Sequence, residues 1–206
     1  MSQNLDYLQE LVKKPEAVNW FKGLFKQVHL EIADTGEKFT ITHSGDHAEV
    51  LTGFQGDHPN FVVPLQSGNI QRLSAAFTGH EPTDFEHYRI VKFMLKPCLQ
   101  PLLTMPVLLN KAVVQVLKIE THWQEALLDP DGREDEQLTV IYVNNQWLVI
   151  PGYHGTPQRR MVFKPDQVLE FIRRVFEADS SGSINNWVNL ATWYVKWREE
   201  ITVPVN

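Results

Sequence analysis

The chain has 206 residues, of which 43% are hydrophobic and 21% charged, a composition that fits a globular protein and excludes a disordered one. Its net charge of −6 opposes electrostatic binding to nucleic acid or anionic membrane, and its basic pairs, Arg159-Arg160 and Arg173-Arg174, are too short for a phosphate-binding stripe. The lone cysteine, Cys98, excludes an internal disulfide and a Cys-rich zinc site; together with an N-terminal stretch that lacks an apolar signal segment, it points to a cytoplasmic setting.

Leu5, Leu8, Leu11 and Val12 recur at helical spacing, and Pro15 opens a second helix with Val18, Phe21, Leu24, Phe25 and Val28 on one face. Residues 29–33 and 38–43 alternate like strands, and the tight turn Ser44-Gly45-Asp46 returns the chain as a third strand over 47–52. A loop with Gly53, Gly56 and Pro59 leads to a fourth strand over 60–65. Ser67 is an N-cap for a helix burying Ile70, Leu73, Ala76 and Phe77, and Thr83 with Glu86 forms a capping box for the next, through Tyr88, Val91 and Leu95. Pro97, Pro101 and Pro106 are expected to break the apolar stretch that follows, with helix resuming to about Lys118 and a strand over 122–127. The acidic run 129–136 reads as a solvated loop and the seam between two halves. Beyond it come a turn at Asn144-Asn145, strands over 146–150 and 160–164, and a helix from Pro165 burying Val168, Leu169, Ile172, Val175 and Phe176. A last helix, capped by Ser183, has Trp187, Leu190 and Tyr194 as its inner face.

The second half repeats the first. Residues 39–77 lie over 138–176 without a gap, and the pairs Thr40/Thr139, Val50/Val149, Gly53/Gly152, Gly56/Gly155, Val63/Val162 and Phe77/Phe176 are identical. Turn positions align with turn positions and core with core. The duplication predicts an α/β (α+β) fold of two related units, each a β-meander followed by a helix pair, packed as one compact protein. The units divide at 1–128 and 129–206.

The run Gly53-Phe54-Gln55-Gly56-Asp57-His58-Pro59-Asn60-Phe61-Val62-Val63-Pro64-Leu65, followed by Asn69-Ile70-Gln71-Arg72-Leu73, resembles the sterol carrier protein-2-like superfamily. There a hairpin, a Gly, an Asp-Pro-type loop and a strand run directly into an amphipathic helix. The resemblance covers residues 21–79, with a degraded echo over 123–178. It departs from the family pattern after Phe77, where no Gly-Lys-containing segment and closing strand follow. It implies helices on an antiparallel-rich sheet and non-covalent, non-catalytic binding of a fatty-acyl or sterol-like ligand. On that reading an apolar pocket lies in the first unit, beneath the proline-interrupted connector, lined by Phe54, Phe61, Leu73, Phe77, Met94, Leu95, Leu102 and Met105.

Other residues invite chemistry and are more simply structural. His43 and His47 flank a hairpin, but no HExxH, paired cysteines or helical His pair accompanies them, so no metal or cofactor is assigned. Ser44, in His-Ser-Gly-Asp-His, sits in a short turn rather than on a strained elbow, and no catalytic residue is assigned. Trp187, Trp193, Tyr194 and Trp197 exceed one narrow helix face, which offers a surface for a homodimer. The leading expectation is therefore a non-enzymatic carrier of a hydrophobic small molecule, without a membrane span. Its rival is an interaction module with a self-filled pocket and a Trp-rich surface; a hydrolase or metal enzyme is the third.

Overall fold

A computed structural model of the chain describes residues 2–56, 61–104, 111–116, 118–180 and 183–205. Two helices, α1 (Gln3–Leu11) and α2 (Pro15–Lys22), precede a sheet of β1 (Gln27–Ile32), β2 (Glu37–Ser44), β3 (His47–Thr52) and β4 (Val62–Leu65). Helices α3 (Ser67–Ala76), α4 (Asp84–Leu103) and α5 (Lys111–Val116) lead to a second sheet of β5 (His122–Leu128), β6 (Glu134–Val143), β7 (Gln146–Pro151), β8 (Arg159–Phe163) and β9 (Thr202–Val203). Between β8 and β9 lie α6 (Pro165–Ser180) and α7 (Ile184–Glu200). The strand orders are β3-β2-β1-β4 and β7-β6-β5-β8-β9. In each sheet an antiparallel meander is joined by a fourth strand parallel to its first. The fold is α+β, with two related sheets each followed by a helix pair.

This topology forces a crossover. β3 ends at one edge of its sheet while β4 pairs at the other, so the connecting chain must traverse the sheet and satisfy its own polar backbone on the way. One buried threonine does so in each unit. Thr40 donates to the Gly53 carbonyl (2.9 Å) and accepts from the Gln55 amide (3.0 Å). Thr139 repeats both bonds, to the Gly152 carbonyl (2.7 Å) and from the His154 amide (2.9 Å). The next carbonyl in the loop is clamped from the first strand of the sheet. Gln27 and His29 donate to the Gln55 carbonyl at 3.1 and 2.9 Å, and His122 and Gln124 donate to the His154 carbonyl at 2.9 and 3.2 Å. The same two side-chain types serve both clamps in reversed order. Gly53, Gly56, Gly152 and Gly155 all take positive φ (80°, 87°, 82° and 68°), the backbone shape for which a glycine is needed.

The strand pairing corrects the ungapped repeat. Leu30 pairs with Phe39 and Val63, whereas Glu125 pairs with Leu138 and Met161. Val63 therefore corresponds to Met161, not Val162, and the second crossover is one residue shorter. Buried Ile70, Ser74 and Phe77 then match buried Val168, Ile172 and Val175, a better fit than the ungapped register gives.

Other expectations are revised. β5 is an interior strand of the second sheet, so a division at 128/129 cuts that sheet; the sheet boundary falls before His122. Glu134, Asp135 and Glu136 belong to β6 rather than a loop, because their ladder with β5 extends the hairpin past the acidic residues. α2 ends at Lys22, leaving Val28 on β1. Ser67 is the first residue of α3 rather than its cap; its amide is satisfied by Asp34 Oδ1 (3.0 Å) from the β1–β2 turn. α4 begins with the expected Thr83–Glu86 capping box but runs on through Pro97 and Pro101. Burial of Leu95, Cys98, Leu99 and Leu103 outweighs the hydrogen bonds those prolines remove.

One continuous apolar core joins the units. Phe176 of α6 meets Phe25 and Phe61 at 5.4 and 5.3 Å between ring centroids. At the rim, Lys92 and Tyr88 of α4 bond Asp135 of β6, and His87 bonds Asp166 of α6.

Replacing Thr40 or Thr139 by Val keeps the volume and leaves a loop amide unsatisfied. Each change is expected to cost about 1–3 kcal/mol in urea unfolding and to speed amide exchange at Gln55 or His154, respectively. Unchanged stability and exchange would show that the hydroxyls do not hold the crossovers.

Candidate functional site

Alternate residues of the first sheet face the helices: Val28 and Leu30 on β1, Ile41 and His43 on β2, Ala48 on β3, Val63 and Leu65 on β4. Together they form one wall of a cavity of about 60 Å³. Leu8 and Leu11 of α1, Phe21 of α2, Leu73 of α3, Met94, Pro97 and Cys98 of α4 and Phe176 of α6 complete its wall. The part of the connector within α4 therefore covers this site, but as helix. The lining is apolar except for His43 and Asn69. Its apolar lining disfavours water, and pockets that take drug-sized ligands are larger, about 300–1,000 Å³.

His43 sits at the hairpin end of this wall. Its ring packs edge-on against Phe25 at 5.1 Å, and its Nδ1 is buried without a hydrogen-bond partner. Burial lowers its pKa from the ordinary histidine value, which favours the neutral imidazole. The Cys98 thiol, fully enclosed, is pushed up to about 12 and is inert as a nucleophile.

The eight residues expected to line a pocket are not all brought together. Leu73 and Met94 line the cavity. Phe61, Phe77 and Leu95 are buried in the surrounding core, and Leu102 is half-buried against it. Phe54 is on the other side of the sheet: it packs on His29, whose side chain points away from the Val28–Leu30 face, and lies under Lys38. The crossover carries it there. Met105 and the loop residues Asp57, His58, Pro59 and Asn60 lie outside the described residues.

The alternative sites do not converge either. His43 pairs with Ala48 and His47 with Ser44, so the two histidines point to opposite faces of the hairpin. Asp46 is engaged by Lys22. Among the described residues, no group of three or more His, Cys, Asp or Glu side chains is placed to hold a metal ion. No helix among them is long and apolar enough to cross a membrane. Trp197, one of the four aromatics that exceed one narrow face of the last helix, is buried with Leu190 and Ile201. It stacks on Phe171 (5.8 Å, 2° between planes) and on Trp193, which Arg174 covers at 4.4 Å. The helix is wide enough on its inner side to seat these rings because α6 contributes Phe171 opposite them.

The second sheet fills the equivalent space. In its register Trp123 stands for Val28, Trp147 for Ala48, Tyr142 for His43 and Glu125 for Leu30. Trp123 and Trp147 meet at 5.0 Å, and Tyr142 packs on Trp147 at 4.9 Å. Glu125 is 3% exposed; Trp123 Nε1 donates to its Oε2 at 3.3 Å, and Oε1 has no partner. Burial raises its carboxyl pKa to about 7. Nearby, Glu120 holds Arg159 and Arg198 at 2.9 and 2.6 Å. Sequence reasoning missed Glu125. The signal was a glutamate at an inward position of an alternating strand, visible once the repeat is extended upstream with a shorter first hairpin.

A scan against protein-family models and searches of curated proteins and of solved structures find no match to the chain.

Because Glu125 holds its proton in the folded state and loses it near pH 4.5 in the unfolded chain, its contribution is fully present below pH 4.5 and lost as pH rises through about 7. The loss is on the order of 3 kcal/mol. Glu125→Gln is expected to flatten the stability profile between these limits and to raise stability at pH 8. An unchanged slope in urea unfolding across that range would contradict the buried protonated carboxyl.

Proposed function

We propose that the protein is a non-catalytic binder of a hydrophobic ligand, with its site in the cavity against the first sheet. One observation carries the reading: where the second sheet places Trp123 and Trp147, the first has Val28 and Ala48 and a void remains. An unfilled space of this size costs about 1.5 kcal/mol of stability, and a related sheet in the same chain fills it. The reading is supported by the resemblance to the sterol carrier protein-2-like superfamily and by the cavity's place beneath α4. A closing strand after the helices, part of that family's pattern, is found in the second unit as β9 and not among the described residues of the first. Entry of a fatty-acyl or sterol-like ligand requires the cavity to widen. α4 is the wall suited to this, since Pro97 and Pro101 remove two of its internal hydrogen bonds and Met94 repacks readily.

Lipid extraction and native mass spectrometry of the purified protein are expected to reveal a bound hydrophobic molecule, and a fluorescent acyl ester to bind competitively with it. Ala48→Leu, which fills the void, is expected to weaken probe binding at least about tenfold while preserving the fold. Repeated absence of both bound lipid and probe binding would overturn the proposal. The cavity's small volume favours a second reading, an interaction module whose pocket is filled by its own side chains. On that reading the contact surface is the outer side of α7, where Val188 and Val195 are exposed, rather than the buried Trp197. It predicts self-association, seen by sedimentation, that Val195→Glu abolishes and Ala48→Leu leaves intact.

A further inference from the structure

Resting on the binding reading above, we infer that the entrance to the first-unit cavity is a hinge within α4, at the turn that ends in Pro97. Residues 97–103 swing away from the first sheet while residues 84–96 stay fixed on the second unit. The placement of the cavity carries this. Among the described residues, α4 lines it with Phe93, Met94, Pro97 and Cys98. These flank the one turn in which Pro97, lacking an amide hydrogen, cannot bond the Phe93 carbonyl. The helix therefore lacks its backbone bond where it meets the void, and Pro101 removes the next such bond one turn further on.

The two halves of α4 are held by different interactions. Before the hinge, Lys92 pairs with Asp135 (2.7 Å) and Glu136 (3.5 Å) of β6, and Tyr88 donates to Asp135. His87 Nε2 donates to Asp166 of α6 at 3.0 Å, and its Nδ1 accepts from Trp20 Nε1 at 3.1 Å. These polar ties fix the first half to the second unit and to α2. Beyond the hinge, residues 97–103 carry no charged side chain and are seated by burial of Cys98, Leu99 and Leu103. Bending there breaks no ion pair. It uncovers apolar surface, and a hydrocarbon ligand entering beneath the segment covers that surface again. The second unit thus supplies the fixed frame against which the first unit's site opens.

Cys98, the only cysteine in the sequence, is 5% exposed on the moving half and reports the opening. The test follows its labelling by a methanethiosulfonate reagent in the full chain at pH 8, in urea below the unfolding transition, beside association of a fluorescent acyl ester. Labelling is expected to be nearly independent of urea, because a hinge exposes far less surface than global unfolding. Pro97→Ala restores the missing bond and is expected to slow both labelling and probe association at least about fivefold. Lys92→Met, which loosens only the fixed half, is expected to leave both rates within about twofold. Labelling that rises with urea as steeply as unfolding does, or Pro97→Ala leaving labelling unchanged, overturns the hinge while probe binding keeps the site. Faster labelling in Lys92→Met, beyond that limit, shows the whole helix lifting and overturns it too. Failure of the probe to bind overturns the binding reading, and with it the hinge as an entrance, whatever Cys98 reports.

Discussion

The rest of the structure depends on the crossover from the third strand of each meander to the fourth. A meander alone exposes one face and two edges, and nothing in it dictates where a following helix packs. Sending the chain across the sheet to pair in parallel with the first strand fixes the direction in which the next helix leaves. It also commits one face to the loop and the other to helices. The price is a stretch of irregular backbone lying on a sheet, and it is met by Thr40 and Thr139 with the His and Gln side chains beside them. Those residues look polar and incidental in the sequence, yet both threonines are fully buried.

On this shared scaffold the two units differ in what fills the space between sheet and helices. Large aromatic rings and a buried carboxyl occupy it in the second; in the first the corresponding sheet positions hold Val28, Ala48, His43 and Leu30, and a void remains. A fold can tolerate either solution because the sheet register and the crossover, not the identity of the filling, set the backbone. The second unit thereby gains aromatic packing and carries the burden of Glu125, whose unpartnered oxygen is at odds with a purely structural core. The first keeps a void at a place where packing could have removed it.

Much of the architecture was legible in the sequence, and the reasons are local. Alternation and the Gly45 and Asn144-Asn145 turns marked the hairpins, and Thr83 with Glu86 marked the start of α4. The duplicated glycines revealed two similar loops because positive φ restricts the choice of residue. The candidate site was harder to read. Phe54 reads as a pocket residue because it is aromatic and lies within the resembling motif, but sidedness across a crossover is set by long-range pairing. The burial of Trp197 cannot be read from the last helix alone, because its partner Phe171 lies on another helix. In the sequence His43 stands out only beside His47, across the same hairpin turn. Strand register puts it on the inward face and leaves its neighbour outside.

Crystals of the protein pressurised with xenon give the most direct measurement of the central claim, that one scaffold is built twice and left open once. Xenon seeks dry apolar voids without needing a particular ligand. The account predicts xenon density against Val28, Ala48 and Met94 beneath the first sheet, and none against Trp123 and Trp147 beneath the second. Xenon at neither place, or at both, would contradict it.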